Sequence, residues 1–239
     1  MDQGEATVGT WGKGLVQGDS PLDYIYSQTD RLRRDIERLS ETEPSASAVA
    51  RLGAAIGLLL QCHPGSFHND RFLPKLYAAL ERQRSYFPAL PARARKVFRQ
   101  ILDGKGAALA DRNARGVDPR IRRALGHALG YREPVLFKPP QAAAYAQEFA
   151  GCCVQSLDEE LNCPGETWMD DLQGVMGIFV LLLLIEPCRV SLRKIRGWRK
   201  KVRAIYESEN QEFGHNRTID QFMRNVERAF EVALEKFST

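Results

Sequence analysis

Apolar residues recur at every third or fourth position along most of this chain, which is the spacing of amphipathic α-helices. From Leu22 to Leu39 the steps alternate between three and four, as in the seam between two packed helices. Alternation with a period of two is almost missing, and only residues 135–137 have the character of a short strand. The pattern therefore predicts an all-α fold, a multi-helix bundle of about nine helices. We expect the helices near residues 20–40, 45–61, 70–86, 92–102, 119–129, 141–161, 166–185, 190–207 and 218–237.

Breaks in this pattern suggest how the chain is divided. Residues 1–19 are rich in glycine and small polar side chains, which predicts a flexible N-terminal arm. Residues 103–117 are Gly-rich and differ in composition from their surroundings, which predicts a boundary. One bundle or two helical subdomains fit these breaks. In the second case, an N-terminal helical bundle would cover 20–102, and a C-terminal subdomain would cover 118–239.

An uninterrupted apolar run lies in the C-terminal half, at residues 175–185. As a helix this run is about 16 Å long, roughly half of the hydrocarbon thickness of a bilayer. It is too short to cross a membrane. We therefore expect a helix buried on all sides, at the centre of the core.

A strongly basic segment follows this apolar run at once. Eight cations and no acid occur between Arg189 and Arg203, whereas the whole chain has 34 basic and 30 acidic residues. Without these eight the chain would be acidic, with 26 basic residues against 30. At about 100° per residue, Ile195, Trp198 and Val202 share one face of a helix and most cations lie on the other. The segment predicts a basic amphipathic helix.

This basic face has two interpretations. A solvated charged face is the common fate of such a segment. Faces that serve solubility alone, however, usually mix the two signs, because pairs four residues apart stabilise a helix. The lack of any acid here favours a surface that binds an anion.

Sites for catalysis or metal binding are not apparent in the sequence. Cys62, His63 and His68 share one loop and could contribute ligands, but the chain has no CxxC or HxxxH pair to complete a zinc site, and buried structural cysteines are the favoured interpretation. The chain has no phosphate-binding loop or nucleophile motif. We expect no enzymatic activity, no catalytic residue, no metal and no small-molecule cofactor.

The cysteines and the N-terminus bear on location. The five cysteines are odd in number and scattered, which is typical of a reducing compartment. The first twenty residues lack the apolar segment of a secretory signal. We therefore expect an intracellular protein, in the cytoplasm or the nucleus.

Together these features favour a non-enzymatic protein that binds nucleic acid, or another polyanion, by contacts to phosphates rather than to a specific base sequence. Two alternatives use the same basic face: a peripheral protein on an anionic membrane surface, and an assembly protein (scaffold or adaptor) that docks on an acidic partner. The seam in the first helix suits packing within the chain, and a homo-oligomer is a further alternative. In size, helical content and concentrated basic charge the chain resembles viral or mobile-element accessory and nucleocapsid-type proteins, at the level of fold class. The predicted binding residues are Arg189, Arg193, Lys194, Arg196, Arg199, Lys200, Lys201 and Arg203, extended by Arg120, Arg122 and Arg123.

Overall fold

The fold is known from a computed structural model, which describes residues 19–113, 140–162, 169–185, 188–213 and 217–238. These ranges contain helices and no strand, so the all-α prediction is confirmed. The predicted helix at 119–129 and almost all of the predicted arm lie outside them. The α-helices are α1 (Asp19–Glu41), α2 (Ala46–Cys62), α3 (Leu73–Arg82), α4 (Ala92–Gln100), α5 (Gly106–Asn113), α6 (Pro140–Asn162), α7 (Met169–Leu184), α8 (Leu192–Phe213) and α9 (Arg217–Lys236).

The third predicted helix is shorter than the pattern suggested. A 3₁₀ helix at Arg84–Ala89 takes the place of its last turn, and a second 3₁₀ helix at Pro64–His68 precedes it. Pro88 lies inside the former, where its missing N–H and its ring oppose an α-helical turn. Gln83, fully buried, holds this end of α3 by donating its Nε2 to the carbonyl of Thr42 at 3.0 Å.

The predicted boundary at 103–117 is partly helical. A kinked turn at Ile101–Lys105 links α4 to α5, and Gly104 adopts a φ of 73° there, a conformation that glycine allows without strain. Leu109 then places an apolar side chain in the core. The local composition predicted a boundary here. It could not reveal the burial of this one leucine, because that burial depends on the tertiary structure.

Helix α7 forms the centre of the core. Its residues from Leu172 onward, and Ile185 after it, are all buried, as predicted for the apolar run. Its most extensive contact is with α1. A Cβ atom on Gly177 would lie 2.6 Å from the carbonyl oxygen of Pro21, so the two backbones approach as closely as only glycine permits.

The remaining long helices surround this pair. α6 packs against both α2 and α7, while α8 and α9 pack on each other and on α7. The helices of both predicted subdomains contribute to a single hydrophobic core. In the described ranges, no helix combines the length and the apolar character that crossing a bilayer requires.

Candidate polyanion-binding surface

The apolar face of α8 anchors this helix to the core. Ile195, Trp198 and Val202 are buried, as the periodicity predicted. The Trp198 ring meets Phe179 of α7 edge to face, with ring centroids 6.2 Å apart and an interplanar angle of 86°. Burial of this face leaves the opposite face of α8 directed away from the core.

A carboxylate of α6 fixes the rotation of α8. Trp198 donates its Nε1–H to Oδ1 of Asp158 at 2.8 Å, and the Lys194 ammonium donates to the other oxygen, Oδ2. Partial burial raises the pKa of Asp158, but the hydrogen bonds from Lys194 and Trp198 and the lysine charge outweigh it, so the pKa is lowered overall. Asp158 is therefore ionised at neutral pH, and Lys194 is engaged within the protein.

A second carboxylate holds α8 to α9. Glu227 accepts from Nε of Arg199 and from Nη2 of Arg203, both at 2.8 Å. Burial raises the pKa of Glu227, but the two guanidinium groups lower it more. Lys201 donates to the side-chain oxygen of Asn162 at the end of α6. Half of the eight cations predicted as binding residues on this segment thus have partners inside the protein.

The other four cations form an outward-facing group, called here the outer cluster: Arg189, Arg193, Arg196 and Lys200. All four side chains are exposed. In the part of the chain that the structure describes, no carboxylate forms an ion pair with any of them, in contrast to Lys194, Arg199 and Arg203.

Two features define the shape of the outer cluster. Arg193, Arg196 and Lys200 lie within 60° of one another around α8, at 100° per residue. Arg189 precedes the helix, and Gln147 of α6 holds its backbone by accepting from its N–H at 2.9 Å and donating to its carbonyl at 3.3 Å. Gly197 lies among these side chains on the exposed surface and has open space where a Cβ would be. The outer cluster is thus an accessible group of positive charges on one side of α8.

The proposed extension of this surface falls in a different part of the chain. Arg120, Arg122 and Arg123 belong to residues 114–139, which lie outside the described ranges. They therefore stay predictions from sequence.

A further group of cations was not predicted. Arginines from α1 and α2 surround a groove that α6 closes on one side. Three of them recur at spacings of three and four on one face of α1, a signal that the sequence does contain. The fourth comes from α2 and carries no local signal. The four are Arg31, Arg34, Arg38 and Arg51.

The loop of Cys62, His63 and His68 has a structural role around its first histidine. His63 Nδ1 lies 2.9 Å from the hydroxyl oxygen of Ser66 and 2.8 Å from Nη2 of Arg33. The distance between Ser66 and His63 is one found in nucleophile–base pairs of enzymes. Ser66 is 0 % exposed, however, and cannot reach a substrate. In the described ranges, no group of three or more His, Cys, Asp or Glu side chains is arranged to hold a metal ion.

The structure thus brings four of the predicted residues together as an accessible basic surface and engages four others in internal contacts. The internal partners, Asp158 and Glu227, orient the helix that carries the surface. Comparison of the chain with protein-family models, with curated proteins and with solved structures finds no match.

Proposed function

We propose that this protein binds nucleic acid through its phosphate backbone, without sequence specificity and without catalysis, at the outer cluster of α8. One observation carries the proposal: four of the eight cations have partners inside the protein, three of them carboxylates, while the outer cluster has no acidic partner among the described residues. Like charges held side by side repel one another. A bound polyanion relieves this repulsion and releases its own counterions, which favours the complex.

The dimensions of the outer cluster suit a nucleic acid. Arg193 and Lys200 are about 10 Å apart along the helix axis, a length over which duplex DNA carries about six phosphates. A guanidinium group can donate to two phosphate oxygens at once, so the three arginines of the outer cluster are well suited to bind phosphates. The large apolar side chains exposed in the described ranges, Tyr26 and Tyr86, belong to other elements, so stacking on bases has no support on α8. Contacts to phosphates fit this face better than contacts to bases.

The membrane alternative meets a physical obstacle. Insertion of α8 into a lipid surface would use its large apolar side chains, but Ile195 and Trp198 are 0 % and 3 % exposed. They would have to leave the core to reach lipid. Attraction to anionic headgroups by charge alone, or docking on an acidic protein, would use the outer cluster and is distinguished by experiment.

We also propose an intracellular location, cytoplasmic or nuclear. Cys62, Cys152, Cys153 and Cys188 are free thiols. Burial raises the pKa of Cys62 to about 12 and that of Cys188 to about 11, so both stay protonated and unreactive at neutral pH. Such thiols support a structural role that needs no oxidising compartment.

Fluorescence anisotropy with a 20-nucleotide RNA and a DNA duplex of arbitrary sequence tests the function. If four cations each contact a phosphate, log K against log salt should have a slope between about −3 and −4. The affinity should differ little between unrelated sequences of one nucleic-acid type. Flotation with vesicles of phosphatidylserine and titration with polyglutamate serve as comparisons. Binding to either of these probes with no measurable binding to nucleic acid would contradict the proposal.

A further inference from the structure

The groove between α1, α2 and α6 has the composition of an anion site separate from α8. Its cavity measures about 390 Å³, within the range of about 300–1,000 Å³ that is typical of small-molecule sites. Four arginines line it, against two acids, Asp35 and Glu148. The lining therefore carries a formal excess of two positive charges.

The floor of the groove is formed by side chains that contact one another. Tyr145 of α6 donates its hydroxyl to Oδ2 of Asp35 at 2.7 Å. The guanidinium of Arg51 lies 5.1 Å from the centre of the Tyr145 ring and 3.7 Å from Asp35. Leu32 and Phe149 supply buried apolar walls. A ligand would thus meet a preformed surface.

The arginines exceed the acids that can neutralise them. Asp35 is shared by Arg51 and Arg38 in addition to the tyrosine. Arg34 pairs with Asp30 at 3.2 Å, and the two side chains are 61 % and 44 % exposed. Because such surface ion pairs are weak, another anion can replace Asp30 as the partner of Arg34. Arg31 has no ion pair with any carboxylate in the described ranges.

We propose that this groove binds a small ligand that carries two or more phosphate groups. Arg31 and Arg38 are seven residues apart on α1, about 10 Å along the helix axis, and Arg34 lies between them, a spacing that suits a row of phosphates better than a single one. The paired N–H donors of each guanidinium match phosphate oxygens. The concave shape of the groove favours a compact polyphosphate. The convex face of α8 is better suited to a continuous strand.

Isothermal titration calorimetry with inorganic tripolyphosphate tests this site, with orthophosphate as the single-phosphate comparison. The full chain should bind one tripolyphosphate, at least tenfold more tightly than orthophosphate. An Arg31→Ala/Arg34→Ala double variant should lose at least tenfold in tripolyphosphate affinity, since both side chains are exposed and their removal leaves the floor of the groove intact. An Arg51→Ala variant, which keeps Arg31 and Arg34, should show a comparable loss of tripolyphosphate affinity.

A variant of the other surface separates the two proposals. Arg193→Ala/Arg196→Ala/Lys200→Ala should bind tripolyphosphate within twofold of the unchanged protein. Unaltered affinity in the Arg31/Arg34 variant would overturn the groove proposal, as would loss of tripolyphosphate binding in the α8 variant. If the Arg31/Arg34 variant instead weakens RNA binding and leaves tripolyphosphate binding unchanged, the groove belongs to a nucleic-acid surface and the small-ligand proposal is wrong.

Discussion

The indole Nε1 of Trp198 lies 2.8 Å from Oδ1 of Asp158, and this contact adds to the apolar packing that orients α8. The indole itself is buried against α7, so its N–H has one direction in which to donate. The same carboxylate holds Lys194. With these two side chains turned toward α6, the outer cluster must face outward.

Removal of the Asp158 carboxylate should therefore destabilise the protein. An Asp158→Ala variant removes the acceptor of the indole N–H at a partly exposed position, which should cost about 0.5–1.5 kcal/mol in the free energy of unfolding. Asp158→Asn keeps an oxygen acceptor at the same place and should lose less. Urea denaturation followed by tryptophan fluorescence measures both variants. Equal stability of Asp158→Ala and the unchanged protein would show that the contact does not hold α8.

Two glycines should respond in opposite directions to the same substitution. Gly177→Ala places a Cβ 2.6 Å from a backbone oxygen of α1, and the shift that this forces should cost about 1–3 kcal/mol. Gly197→Ala fills open space on the exposed face of a helix and should stabilise by about 0.5–1 kcal/mol. Thermal melts of the two variants provide the comparison. Stabilisation by Gly177→Ala would contradict the close approach of α1 and α7.

Stability should fall between neutral and mildly acidic pH because of His63. Burial and the adjacent Arg33 charge lower the pKa of His63 from 6.5 to about 4. Between these values the unfolded chain binds a proton that the folded protein does not. The free energy of unfolding should thus decrease by about 1.4 kcal/mol per pH unit as the pH falls from 6.5 toward 4, about 3 kcal/mol in total. Above pH 6.5 this histidine makes no pH-dependent contribution.

The matched control is His63→Asn, whose side-chain oxygen can accept in place of Nδ1 and does not titrate. Urea denaturation of both proteins at several pH values between 4 and 7.5 gives the difference in slope. The variant should lose the extra dependence in that window whatever its absolute stability. Parallel pH curves for the two proteins would show that His63 is not buried in its neutral form.

The end of α7 should depend on Lys236. Its ammonium donates to the carbonyls of Ile185 at 2.8 Å and Leu183 at 2.9 Å, which lack partners inside the helix. Lys236→Met keeps the apolar stem but removes the donors, with an expected loss of about 1–3 kcal/mol. Hydrogen exchange at residues 181–185 should become faster, and Lys236→Arg should restore part of the protection. Unchanged exchange in Lys236→Met would exclude this role.

The long helices were predictable because their apolar spacing is local information. α1 and α9 differ from the predicted ranges by about one residue at each end. α5 was not predicted: Gly104, with its left-handed φ, signals the end of a helix, but nothing local shows that a helix resumes after it or that Leu109 is buried. Short helices that are stabilised by tertiary contacts cannot be predicted from the periodicity of apolar residues alone.

The sequence predicted which face of α8 carries the candidate surface, but not which of the cations on that helix belong to it. Periodicity separates the inner face of α8 from the outer one. It cannot tell which cations will be neutralised, because Asp158 and Glu227 are 36 and 28 residues away from Lys194 and Arg199 along the chain. The arginine groove is the stronger case, since it exists only where α1, α2 and α6 meet.

The central claim is that the outer cluster binds nucleic acid, and the salt dependence of a triple variant tests it most directly. Arg193→Ala/Arg196→Ala/Lys200→Ala should reduce the magnitude of the slope of log K against log salt by about 2–3 and weaken RNA and DNA binding alike. Its melting temperature should stay the same, because these side chains are exposed. The matched control, Arg71→Ala/Lys96→Ala/Arg99→Ala, removes three exposed cations elsewhere and should keep the original slope. A triple α8 variant that binds like the unchanged protein, with the same slope, would contradict the account.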